Sequence, residues 1–427
     1  MPELSTQLAR IIITKLGESG TPPESGVEYF TVGLNPYLRI IESEYLSDFI
    51  SQGGSSFKLV VGSYGGGKTH FLYSVRNVAW RHNFLVSYVS LSPAETPFDK
   101  LELVYKGIVN NIMYPVPSPQ LPTHGERGIE GFIRVWLGKM RDTLGEDELK
   151  LQKYAQTMKS LESTSFTNAV RGAFQALVQG DEGRFVRVLQ WLKCEGYDRN
   201  FHPQWGIVER IDRSTAFRML RSLTQWIEVT GYSGLVLLFD EAERALSLVS
   251  SKTRRQALDN LRQLVDECGN SRIPATMMFY AIPDENQLLE GREEVYEALK
   301  QRLRGTLTQM NPSGVKIDLD NLELTPHEFL VEVGQKLTKI YQTLHHTELP
   351  TACVEETASN VAEAAYEERY ADIGYRRLFV KGFIAALGML RVNPHKEVDR
   401  KTAEALVREN LVSLRKTARE ESNSHEY

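Results

Sequence analysis

The residues Gly62-Ser63-Tyr64-Gly65-Gly66-Gly67-Lys68-Thr69 constrain this chain more than any other stretch, because they fit the pattern GxxxxGK[ST] and directly follow the apolar run 57–61. A strand that ends in such a loop and opens into a helix turns successive backbone N–H groups toward one point, where they cradle an anion. The loop, with His70 on the first helical turn after it, is therefore the expected binding site for a nucleoside triphosphate. Lys68 is expected to reach the β- and γ-phosphates and the Thr69 hydroxyl to hold Mg²⁺. Context separates this reading from a glycine-rich turn with an incidental lysine. Phe71, Leu72 and Val75 repeat at helical spacing behind the loop, and three successive glycines have no comparable use in an ordinary turn.

The second half of the site is expected at Leu235-Val236-Leu237-Leu238-Phe239-Asp240-Glu241. A run of apolar residues marks a strand covered on both faces, and an acidic pair at its end puts carboxylates at the mouth of a parallel sheet. Asp240 is expected to hold Mg²⁺ through its water shell, and Glu241 to act as the base that orients the attacking water. The plainer alternative is that these acids open the next helix, where its dipole favours them. With the glycine loop upstream, the pair points to cleavage of ATP and not to phosphorylation of a small molecule.

Lys68 and Asp240 are 172 positions apart, far more than a compact sheet needs. One further strand is readable between them, Phe84 to Leu91, so 100–212 is expected to be mostly an insertion. It opens with a proline-rich piece, 114–122, that reads as extended linker. Beyond it, apolar residues at three- and four-residue spacing predict helices over 131–144, 146–161, 166–179 and 182–192. The other expected parts are an N-terminal arm (1–56), an α/β core (57–99 and 213–323), and a helical lid with tail (324–427). At 427 residues and 41% apolar content the chain can bury real cores, and no apolar run approaches membrane-spanning length. Three scattered cysteines fit reduced thiols, and the start lacks the basic and apolar stretches of a secretion signal; both suit a cytoplasmic protein. A net charge of −5 argues against a wholly basic nucleic-acid coat while leaving room for a local basic groove.

Downstream of the acidic pair, a helix over 253–268, a strand over 276–282 and a helix over 293–304 are spaced as in AAA+ ATPases, which the chain resembles. The fold this implies is α/β: a P-loop AAA+ core with a parallel sheet and flanking helices, a helical insertion and a C-terminal helical lid. The resemblance implies a polar residue at the end of the strand 276–282, but none sits at that step; the first sensor is missing or displaced to Asp284 or Asn286. By position, Arg302, and after it Arg304, resembles the arginine that reaches into a neighbouring subunit's ATP, though both also suit a solvated helix C-terminus. Gly374-Tyr375-Arg376-Arg377 resembles the lid motif in which an arginine contacts the nucleotide, with Arg377 as that second sensor and Arg376 beside it. Val32, Gly33 and Tyr37 are placed either to touch the base or simply to pack the arm.

The N-terminal residues narrow the resemblance. The stretch Ile12 to Gly26, then Phe30-Thr31-Val32-Gly33, then Gly53-Gly54-Ser55-Ser56 is similar to the ATP-binding proteins of bacterial BREX phage-defence systems, nearer the smaller BrxD type than the longer BrxC type. The resemblance runs over about 10–395. It implies an ATPase in a multi-gene defence system, working as a homo-oligomer with other BREX components including a helicase, with duplex DNA as the substrate and no membrane. Only 34 residues follow Asn393, too few for a full winged-helix domain, so DNA contact would fall to the core, the insertion or a partner. A second class stays open: a nucleotide-gated scaffold that hydrolyses slowly and does not bind DNA.

Overall fold

The computed structural model describes residues 3–117, 120–242, 250–285, 300–303, 305–371 and 373–424, and of residues 124 and 417–424 the backbone alone. From the N-terminus come α1 (Thr6–Ser19), α2 (Asn35–Ile40), β1 (Ser55–Val61), α3 (Lys68–Arg81), β2 (Phe84–Ser90), α4 (Leu101–Asn110) and β3 (Ile112–Met113). Four helices follow: α5 (Gly128–Leu144), α6 (Glu148–Thr157), α7 (Thr164–Gln179) and α8 (Glu182–Leu192). The chain returns through α9 (Ala216–Val229), β4 (Gly234–Asp240), α10 (Ser251–Gly269), β5 (Thr276–Ile282) and β6 (Lys316–Asp318). It closes with α11 (Pro326–His345), α12 (Thr351–Glu367), α13 (Tyr375–Val392) and α14 (Arg400–Ser424).

The protein is mixed α/β, with its described strands in one sheet ordered β3-β2-β4-β5-β1-β6. Every pairing is parallel except β3 against β2. β4 and β5 are buried at every position, as strands covered on both faces must be. Because β5 lies between β1 and β4, the glycine loop at the end of β1 and the acids at the end of β4 face each other across its tip. Such a crevice at the C-terminal ends of parallel strands is where α/β sheets take ligands.

Three apolar clusters surround this crevice. One joins a sheet face (Leu85, Leu235, Leu237) to the helices of 128–229 through Phe132, Trp136, Phe174 and Trp226. The opposite face (Val60, Val236, Leu238, Phe279) packs on α3 and on the segment Leu34 to Ile50. The third holds α1 (Leu8, Ile12, Leu16) against α11 and α13 (Leu330, Leu337, Phe379, Phe383) and includes Val407 and Leu411 of α14. The arm's first helix thus shares its core with the lid helices. In the second cluster, Lys58 of β1 is 1% exposed. Its ammonium donates to Tyr45 OH (2.6 Å) and Gly314 O (2.7 Å), tying β1 to the arm and to the run-up to β6 while burial lowers its pKa to about 7.

Two local outcomes are not written in the sequence pattern. The helix that begins at Asn35 is α-helical only to Ile40 and continues as a wider π-helix over Ile41–Phe49. There Ser47 Oγ donates to the Glu42 and Ser43 carbonyls (2.8 and 3.0 Å), competing with the tighter backbone ladder. Residues 101–113 do not depart into the insertion: α4 lies beside β2, and Ile112 and Met113 pair with Ser87 and Val86 at the sheet edge. Among the described residues no helix is long and apolar enough to cross a membrane.

Candidate nucleotide-binding site

The loop's shape follows from its glycines and its anchors. Gly67 caps α3 at φ 95°, a left-handed conformation that glycine adopts without steric cost. Gly62 N donates to Ile282 O at 3.1 Å, fixing the loop's start to the tip of β5. Ser63 donates its N–H (2.7 Å) and its hydroxyl (2.9 Å) to the Asp320 carboxylate beyond β6. Lys68, 8% exposed, points back over the loop and donates to Gly62 O at 2.9 Å and Ser63 O at 3.4 Å. The first N–H groups of α3, from Lys68 on, have no partner within the helix and sit at its positive end, so they suit a phosphate.

Opposite the loop, Asp240 is 2% exposed and heavily bonded. Its Oδ2 accepts from the Thr69 hydroxyl (2.6 Å) and the Tyr88 hydroxyl (2.7 Å), and its Oδ1 accepts from Glu241 N (2.9 Å). Burial, and then the Asp240 charge, raise the Tyr88 phenol well above its usual value, so it stays a donor. Glu241 takes φ 56°, an uncommon conformation for a residue with a side chain, and accepts from Ser90 Oγ at 2.7 Å. Among the described residues no group of three or more His, Cys, Asp and Glu can hold a metal alone. The donor set still suits Mg²⁺, which keeps several waters and is commonly held by one or two protein oxygens together with substrate phosphates.

Glycine loop and acids share a cavity with an apolar slot. Phe30, Val32 and Leu34 of the arm line one side, and Phe329, Leu330, Val333 and Val380 of the lid helices another. Tyr64, Gly65, Gly66, Gly67, Lys68, Thr69, His70, Asp240, Glu241, Arg376 and Arg377 also line it, together with Leu16, Gly20, Thr21 and Pro22 of the arm. Such a slot accepts a flat base, with triphosphate running onto the loop. Gly33 and Tyr37 do not line it: a side chain at Gly33 would meet Leu322 and Phe329, and Tyr37 OH donates to Asp318 O at 3.0 Å. His70 Nε2 lies 2.8 Å from Thr31 Oγ1, whose own proton goes to Val27 O at 2.8 Å. The ring therefore carries its proton on Nε2, and burial followed by the Lys336 charge lowers its pKa to about 4.

The two lid arginines diverge. Arg376 reaches the loop, donating to Gly66 O at 2.7 Å and Leu319 O at 2.9 Å. Arg377 turns to the arm and donates to Ser19 O at 2.6 Å. Gly374 touches the loop so closely that a Cβ there would fall 2.1 Å from Tyr64 O. Arg302 is away from the cavity, with its guanidinium engaging both oxygens of Asp266 on α10. Arg304 and Asn286 lie outside the described residues; Asp284 follows the tip of β5, whose Ile282 O holds Gly62.

Sequence reasoning missed Tyr88, Ser90, Asp320 and the lid's apolar wall. Tyr88 and Ser90 were findable, since alternate residues near the end of a strand share a face and β2 pairs with the acidic strand in register Ser90↔Asp240. Asp320 carries no such signal. No curated protein matches the chain. The family described as BREX system ATP-binding protein BrxC/D matches it over residues 4–405. With nearly its whole length covered, the chain belongs to the BREX system ATP-binding protein BrxC/D family.

Proposed function

We propose that this protein is an AAA+-type P-loop ATPase that binds Mg²⁺-ATP between sheet and lid and hydrolyses it in phage defence. The observation that carries the reading is the 2.6 Å bond between Thr69 and Asp240, made in one cavity with Lys68 and Glu241. Lys68 would move from the loop carbonyls to the β- and γ-phosphates, and the loop N–H groups would hold the rest of the triphosphate. Thr69 and Asp240 would hold Mg²⁺, which would supply neutralisation of phosphate charge. Glu241 orients the attacking water once it leaves Ser90. Arg302, with Arg304 second, completes a neighbouring subunit's site in a homo-oligomer, exchanging its Asp266 partner for phosphate. Of the lid arginines, Arg376 is the better nucleotide sensor, since it already touches the loop.

In the cytoplasm, the protein works with other BREX components, including a helicase, acting on duplex DNA or loading a partner onto it. A second reading, a nucleotide-gated assembly switch with slow hydrolysis and no DNA contact, draws on the Ser90–Glu241 bond, which holds the base in place. ATP turnover by the purified chain with and without duplex DNA tests the pair: acceleration supports the DNA-acting enzyme, and slow turnover indifferent to DNA supports the switch. Absence of nucleotide binding would refute both.

A further inference from the structure

We propose that Tyr88 is a positioning residue for the metal aspartate and sets how tightly the site holds Mg²⁺; this rests on reading the cavity as an Mg²⁺-nucleotide site. An ionised carboxylate has about four acceptor positions. Asp240 spends two of them on Oδ2, on the Thr69 and Tyr88 hydroxyls, and a third on Oδ1, on Glu241 N. Its plane is thereby locked. Because the single Thr69 proton goes to Asp240, the lone pairs of Thr69 Oγ1 are what a cation can use. That geometry persists only while Oδ2 stays turned toward Thr69.

The Tyr88 hydroxyl holds it there. Tyr88 pairs with Leu238, two residues before Asp240 on β4, so its phenol reaches forward along the neighbouring strand to the carboxylate. Its ring packs on Tyr73 at 5.2 Å between centroids, and the Arg76 guanidinium covers Tyr73 at 5.0 Å. Tyr73 and Arg76 belong to α3, the helix that Lys68 and Thr69 open. One helix therefore supplies a metal ligand at its start and, about one turn on, the ring that braces the residue aiming the other ligand. Ser90, by contrast, bonds Glu241, so the two acids are oriented by separate hydroxyls of β2.

The test is Tyr88→Phe in the full chain, which keeps the ring on Tyr73 and removes only the donor. A fluorescent ATP analogue is titrated in EDTA and then at rising Mg²⁺, and the free protein is melted in parallel. Loss of a partner that orients a metal ligand costs about 10- to 100-fold in metal affinity, so the Mg²⁺ concentration at half-maximal response should rise by about that factor. Affinity in EDTA and the melting temperature should stay near wild type. An unchanged Mg²⁺ midpoint, while Asp240→Asn shifts it, overturns the role of Tyr88. No shift with Asp240→Asn overturns the metal reading itself. An unfolded Tyr88→Phe chain also overturns the proposal, because the phenol would then serve folding and not metal positioning.

Discussion

Gly374→Ala isolates the contact between lid and phosphate loop. The backbone there, at φ −59° and ψ 134°, accepts alanine without strain, so the cost comes only from what the new methyl meets. It meets Tyr64 O at 2.1 Å and Gly65 Cα at 3.0 Å, whereas Cβ contacts under 3.0 Å essentially never occur. The lid must therefore withdraw by about 1 Å. A shift of that size stretches the Arg376 Nη1 bond to Gly66 O from 2.7 Å past hydrogen-bonding range. One hydrogen bond to a charged group is worth about 1.5–3 kcal/mol, which corresponds to about 10- to 100-fold in nucleotide affinity if lid and loop close on the ligand together. Equilibrium titration with a slowly hydrolysed fluorescent ATP analogue measures it. The unliganded melting temperature should fall by only a few degrees, since one lost hydrogen bond is small against the unfolding entropy of a chain of 427 residues. Binding within twofold of wild type would refute the claim that the lid is seated on the loop through this approach.

Lys68→Ala should abolish nucleotide binding, because the ammonium and its phosphate bonds go together, whereas Glu241→Gln should retain binding in the same titration and lose most steady-state phosphate release. Arg302→Ala should bind ATP and hydrolyse it poorly, and mixing it with Lys68→Ala should restore part of the activity, since some interfaces then pair an intact loop with an intact arginine; no rescue, with turnover independent of protein concentration, would remove the finger assignment. His70 gives a pH dependence: its folded value of about 4 lies below the unfolded 6.5, so the unfolded chain binds the extra proton and stability falls as pH drops through that window. Between pH 7 and pH 5 the loss is up to about 2 kcal/mol, less whatever cavity water screens, and the difference in urea midpoint between the two pH values should shrink in His70→Gln.

What the sequence made legible was what is written in short, contiguous patterns. The glycine loop, the acidic strand and the four helices after the proline-rich piece each announce themselves by spacing within a window of a dozen residues or so. What it hid depends on distant partners. β3 and β6 are two and three residues long, too short for any period, and become strands only because β2 and β1 offer them edges. Which of two adjacent arginines meets the loop is a matter of helical phase. Arg376 and Arg377 point about 100° apart on α13, and the docking angle that selects between them is set by Gly374 against Tyr64, a contact no local pattern encodes. The same holds for Asp320, which reaches the loop only because β6 is placed beside β1.

These contacts also decide which pieces can move together. Arg377 fastens α13 to the last turn of α1 through Ser19 O, and Lys336 of α11 donates to Thr31 O at 2.5 Å, so the arm is bonded to the lid at two separated points. The arm's apolar residues up to Val32 lie in one cluster with the lid's, whereas Leu34 to Ile50 lie in the sheet's, so it is the first part of the arm that is packed continuously with the lid. Lid and sheet, by contrast, meet through narrow joints: Gly374 against Tyr64, and Arg376 on Gly66 O and Leu319 O. Tyr73 adds one more, since it belongs to the arm-and-lid cluster while Phe71, Leu72 and Val75 of the same helix belong to the sheet's. Breaking the arm from the lid would expose a hydrophobic core, whereas parting lid from loop costs a few hydrogen bonds. A lid movement that carried α1 and the residues up to Val32 with it would keep those walls of the slot together and part them from Leu34 and the phosphate loop. It would break the bonds of Arg76 to Glu24 O and of Asn77 to Glu28 as well, and a ligand that bridges loop and slot opposes that movement at both ends.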